Sequence, residues 1–144
     1  VVGEHGDSQI VAWSCASIAG VPIDKAMPPE SLDRVHLAEE CNREAQHIIR
    51  AKGSIAFAMG SIVASICSSI LFDKRDVRPL SHFIPEFGCC LSLPVVLGRK
   101  GIVHTIQLPL TTGEKARLAK SGERTKEAVR RLMEGDEISG MAAI

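Results

Sequence analysis

Between residues 77 and 108 the chain reads as three extended stretches, 77–84, 89–97 and 102–108, joined by Pro85-Glu86-Phe87-Gly88 and Gly98-Arg99-Lys100-Gly101. Proline and glycine at those junctions mark turns, and turns this short join antiparallel neighbours, not parallel ones. Pro94 lies inside the middle stretch. Having no N–H to give a ladder, it predicts an edge position or a bulge there. Upstream, Ile10, Val11, Ala12 and Trp13 read as a short buried strand, ended by a turn at Ala19-Gly20-Val21-Pro22.

The helical signals fall outside this block. From 32 to 51, Val35, Ala38, Cys41, Ala45, Ile48 and Ile49 recur at three- and four-residue steps against Arg34, Glu39, Arg43 and Glu44, the pattern of an amphipathic helix. Gly53 interrupts it. Residues 54–72 then run uncharged through Ile55, Phe57, Met59, Ile62, Val63, Ile66, Ile70 and Leu71. About 20 apolar residues would span a bilayer. Here Ser54, Ser61, Ser65, Ser68 and Ser69 dilute the run and no aromatic belt flanks it, so the expectation is a buried central helix. Its small residues would admit a neighbouring backbone or another subunit. At the far end, Thr111 with Glu114 fits a capping box for a helix over 112–134. Ala116, Leu118, Ala119, Ala128, Val129, Leu132 and Met133 supply its apolar face, and the last ten residues read as frayed. Helices and strands are grouped, not alternating, so the expected class is α+β.

A chain of 144 residues, 45% hydrophobic, can bury one core, and one domain is expected. Formal charge is zero and the pI about 7.1, which gives no electrostatic footprint for nucleic acid. The sequence starts at Val1 with no signal-peptide pattern and reads as a piece of a longer chain. Cysteines 15, 41, 67, 89 and 90 show no paired spacing and read as reduced cytosolic thiols, with no metal site expected. Adjacent Cys89 and Cys90 would point to opposite faces of a strand.

Chemistry points to one place. In Gly3-Glu4-His5-Gly6-Asp7-Ser8 a histidine stands between glycines, with acids on either side. Glycines let the backbone turn sharply and leave the ring uncrowded, and an imidazole exchanges protons near neutrality. A histidine in such a turn is also often an ordinary surface residue, and Asp7 reads as a turn former.

That hexapeptide is followed by an apolar run and Ala19-Gly20-Val21-Pro22. Then come Lys52-Gly53, a small-residue helix from Ser54, the segment Leu91-Ser92-Leu93-Pro94-Val95-Val96-Leu97-Gly98-Arg99-Lys100-Gly101-Ile102, and a charged final helix. In this order they resemble the lactate/malate dehydrogenase family, more its L-lactate dehydrogenase branch, over nearly the whole chain. The resemblance implies the C-terminal catalytic domain of that family, an antiparallel sheet packed with long helices. The Rossmann domain would be elsewhere, in keeping with the lack of a GxGxxG turn here.

It implies NAD as cofactor, bound mainly by that other domain, and interconversion of a 2-oxo acid and an L-2-hydroxy acid. It gives His5 the role of proton donor and acceptor. An orienting aspartate and a carboxylate-binding arginine would lie upstream of Val1, as would residues for activation by a phosphorylated sugar. Ile55 falls near the substrate side chain, where lactate dehydrogenases usually carry threonine. This predicts a more apolar wall, with ordinary core as the alternative for Ile55. Met59 falls where the family packs an apolar residue on the nicotinamide, although a methionine among isoleucines equally reads as core. His36 and His47 read as solvated, His82 and His104 as outward strand positions. The implied partners are a small 2-oxo or 2-hydroxy acid and further copies of the chain, as dimer or tetramer, in the cytoplasm.

Malate dehydrogenase or another L-2-hydroxy acid dehydrogenase is the alternative within the class, the malate reading disfavoured by the lack of a basic residue beside Ile55. A non-catalytic assembly module is the alternative outside it. Separated from the dinucleotide domain, the domain is expected to be inactive.

Overall fold

The computed structural model describes residues 1–6 and 8–135. The reading of Asp7 and, Gly135 apart, the frayed end lie outside them.

The three strands form as the turns dictate. β3 (Asp76–Ile84), β4 (Cys89–Gly98) and β5 (Gly101–Thr105) make an antiparallel sheet in the order β3-β4-β5. Leu80 stands opposite Leu93 and Phe83 opposite Cys90, with a bulge between Val96 and Leu97. Cys89, Leu91, Leu93, Val95 and Leu97 alternate onto the buried face of β4, and Cys90 points the other way. With Val2, Ile10, Ile84 and Leu118, the first three of these make the core.

Pro94 corrects the expectation of an edge or bulge, since it sits in the central strand and away from the bulge. Its carbonyl accepts Ile106 N at 2.8 Å, so its N side faces where β5 has already ended at Thr105. Two residues before Pro94 on β4, Gly3 takes over the third position of the sheet. Gly3 N donates to Ser92 O at 3.0 Å and Ser92 N to Gly3 O at 2.8 Å. The missing donor therefore falls at the joint between two segments, where no ladder bond is lost.

The segment 10–13 is not a strand. Ile10 exchanges two 2.8 Å bonds with Val2, and Trp13–Cys15 then winds into a 3-10 turn. Beyond it, β1 (Ser17–Ile18) and β2 (Val21–Pro22) form a minimal hairpin about Ala19 and Gly20, both at positive φ. A single turn, α1 (Ile23–Ala26), and a 3-10 turn at Pro29–Ser31 lead on.

α2 (Arg34–Lys52) starts where the Asp33 carboxylate accepts His36 N and stops at Gly53 in the left-handed region. Its apolar stripe is at best half-covered, and Val35 is exposed. His36 and His47 are exposed as expected.

α3 (Ala56–Leu71) corrects the buried central helix: only Ser69 is buried, Phe57 is 90% exposed, and Ile62, Val63 and Leu71 are exposed. The helix is tied at its C-terminal end, where Ser69 Oγ accepts from Arg78 Nε at 2.8 Å and lies 3.0 Å from Asp76 Oδ2. Along the rest of its length, Ala58, Ser65 and Ile66 are half-buried, and the larger apolar side chains of Phe57, Met59, Ile62 and Val63 are left uncovered by the described residues. Among the described residues no helix is long and apolar enough to cross a membrane.

α4 (Thr112–Glu134) opens with the expected capping box and ends at Gly135. Of the expected apolar face, Leu118 is buried and Ala128 half-buried, but the rest of the docked face comes from other residues. Glu114, Leu118, Ser121 and Gly122 are buried, whereas Val129, Leu132 and Met133 are exposed. The small pair at 121–122 lets the helix come close: a Cβ on Gly122 would stand 3.4 Å from Cys89 Sγ and 3.6 Å from Leu91 Cδ1.

Candidate functional site

His5 sits exposed in a bend between Val2 and Ile10, whose paired bonds close the loop at its base. Three anchors fix that loop. Gly3 is stitched to Ser92 of β4, and Gln9 Nε2 donates to Asn42 Oδ1 of α2 at 2.6 Å. On the α4 side, Glu4 N donates to Ser121 Oγ at 2.9 Å and Ser8 Oγ to the same oxygen at 3.0 Å. Gly3 is needed as glycine: its φ is +102°, and a Cβ there would lie 2.8 Å from Ser121 Oγ. The side of the loop that carries Ser8 and Gln9 also borders a groove of about 310 Å³, lined among others by Trp13, Arg117, Lys120 and Arg124.

Ile55 is the N-cap residue of α3 and is half-buried, and Met59, one turn on, is 48% exposed. His82 is more than an outward strand residue: its Nδ1 pairs with Leu80 O at 3.0 Å and its Nε2 with Thr105 Oγ1 at 2.6 Å, whereas His104 is exposed. Among the described residues no cluster of three His, Cys, Asp or Glu is placed to hold a metal ion.

A family model for the lactate/malate dehydrogenase alpha/beta C-terminal domain matches residues 1–134. The chain belongs to that family. L-lactate dehydrogenase A of Rhizopus oryzae is 36% identical over 126 residues, covering 88% of this chain and 39% of that protein. L-lactate dehydrogenase of Deinococcus radiodurans is 37% identical, covering 84% and 41% respectively. A solved lactate dehydrogenase from a Medee basin deep-sea metagenome library superposes with a TM-score of 0.81 at 25% identity, over 90% of this chain and 44% of that one. This chain thus spans less than half the length of these relatives, and its α+β architecture is that of their C-terminal domain.

Sequence reasoning saw Glu114 only as a capping residue and missed that it and Ser121 are buried and hold this lactate/malate dehydrogenase domain's loops to α4. The signal was present as Glu114, Leu118, Ser121 and Gly122, which recur at helical spacing. It was hidden because two of them are polar and one is glycine. Glu114 Oε1 accepts Ser14 N at 3.1 Å, and Oε2 accepts Thr111 N at 2.9 Å and Thr111 Oγ1 at 2.8 Å. Burial pushes its pKa up, but these bonds from Ser14 and Thr111 outweigh it and hold the carboxyl at about 2, against an ordinary 4.5.

Between those two values the unfolded chain binds the proton and the folded one does not, so stability falls as pH drops from about 4.5 towards 2. Glu114→Gln is expected to flatten this loss, while costing about 1.5–3 kcal/mol at neutral pH through the weakened charge-assisted bonds. Urea unfolding at a series of pH values checks it. Parallel pH profiles for the two proteins would contradict it.

Proposed function

We propose that this chain is the catalytic C-terminal domain of an NAD-dependent L-2-hydroxy acid dehydrogenase of L-lactate type, with His5 as proton donor and acceptor. The observation that carries the reading is the placement of His5: an exposed imidazole on a loop whose backbone is pinned to both the sheet and α4. Such a group can meet a substrate at a fixed point without being buried by its own domain. The relatives named L-lactate dehydrogenase support the substrate class.

In the reaction a 2-oxo acid, NADH and a proton give an L-2-hydroxy acid and NAD. When bound, the nicotinamide supplies the hydride that reaches the carbonyl carbon. As negative charge develops on the carbonyl oxygen, the His5 imidazolium gives it a proton, and neutral His5 takes that proton back in the reverse direction. Half-buried Ile55 would form an apolar wall for the substrate side chain. The residues present fit only one edge of the cofactor: partly exposed Met59 can lie against a ring, but no Gly-rich strand-to-helix turn is present to hold a pyrophosphate. The rest of the dinucleotide and the substrate carboxylate need the other domain, so the 144-residue chain alone is inactive. The uncovered apolar side chains of α3 supply the surface for that domain or for assembly into a dimer or tetramer.

The test is NADH oxidation by the full-length protein with pyruvate, oxaloacetate and a branched 2-oxo acid, with this chain run alongside. Turnover by the full-length protein only is expected, and no turnover with any substrate would favour an assembly module. In the same assay Ile55→Thr is expected to shift preference toward pyruvate over the branched acid by about 10-fold or more. An unchanged ranking would remove Ile55 from the pocket.

A further inference from the structure

We infer that Ser121 is a positioning residue for His5, acting through one buried oxygen that grips the histidine loop on both sides. The inference rests on the role proposed for His5 above. Ser121 lies on the inner face of α4 and is 0% exposed, yet its hydroxyl is committed to the loop. It accepts the amide hydrogen of Glu4, the residue before His5, and the hydroxyl hydrogen of Ser8, three residues after it. Gly3 completes the convergence, because its positive φ brings the backbone so near that a Cβ would reach 2.8 Å from the same oxygen. Ser121 itself does not touch the reacting atoms.

A buried hydroxyl that served only to satisfy itself could turn to a carbonyl of its own helix. This one instead fixes where the chain enters and leaves the residue that moves the proton. Proton transfer demands placement within a fraction of an ångström, and a 1 Å error costs about 100-fold in rate. Removing the shared oxygen leaves the imidazole present and misplaced.

In the full-length protein, Ser121→Ala is expected to lower kcat with the preferred 2-oxo acid about 10- to 100-fold. KM for NADH should stay unchanged, and the solvent deuterium isotope effect should rise as proton transfer becomes slower than hydride transfer. Ser8→Ala, at a half-buried position on the loop and outside the core cluster, is expected to lower kcat several-fold without impairing folding, and it keeps the inference testable if Ser121→Ala does not fold. Because both bonds end on one oxygen, the double variant should be no slower than Ser121→Ala alone. Wild-type kcat in either single variant, a lowered melting temperature with kcat and isotope effect intact, or losses that multiply in the double variant would each overturn the inference. His5→Asn separates the two levels. If it retains turnover, the proposed role of His5 fails. If it is inactive while Ser121→Ala is normal, only the positioning role fails.

Discussion

His5→Asn in the full-length protein is expected to lower kcat by about 10²- to 10⁴-fold, the usual contribution of a positioned acid or base. Asparagine keeps a polar side chain of similar reach and can still donate a hydrogen bond to a carbonyl oxygen. It cannot hand over the proton. His5 is exposed and its loop is held through the backbone and side chains of its neighbours, so the substitution leaves the fold and the melting temperature unaffected. Steady-state turnover in both directions makes the measurement decisive, since one group serves as acid in reduction and base in oxidation. Wild-type turnover in either direction would remove His5 from the mechanism.

The largest expected loss of stability comes from Leu91→Ala. Leu91 is 0% exposed on the inner face of β4, in one cluster with Val2, Ile10 and Leu118 and against Gly122 of α4. Truncation removes its transfer free energy and leaves a cavity between sheet and helix, for about 2–5 kcal/mol. Domains are stable by only about 5–15 kcal/mol, so this is a large share. Urea denaturation of the full-length protein, followed by far-ultraviolet circular dichroism, reads it as a shift of the midpoint. A loss below about 1 kcal/mol would mean that Leu91 does not sit at the centre of the core.

Features encoded over a few neighbouring residues were legible in the sequence. The two turns at 85–88 and 98–101 specify the antiparallel sheet, Gly53 separates α2 from α3, and the Thr111–Glu114 capping box opens α4 at the expected residue. The hexapeptide and the segment from Leu91 to Ile102 pointed to the family. What could not be read locally depends on partners far along the chain. Ile10 pairs with Val2, which ends any strand through Trp13, and the Ser14 amide is captured by Glu114. Pro94 is tolerated in a central strand because Gly3 resumes the ladder beyond it. The uncharged run of α3 carries no sign of whether its cover belongs to the same chain. No pattern of neighbouring residues singles out Ser121, because its partners Glu4 and Ser8 lie more than 110 residues away.

The joint beside Pro94 also orders events in folding. The β3-β4-β5 meander links neighbours in sequence, so the entropy lost in closing its turns is small and it can form early. Gly3 can add to it only once β4 exists, and Glu4 must find Ser121 across a separation of 117 residues. The contacts that assemble the histidine loop are therefore among the most non-local in the domain. Val2 and Ile10, at the base of that loop, also complete the core between sheet and α4, so docking the histidine loop and closing the core are one event.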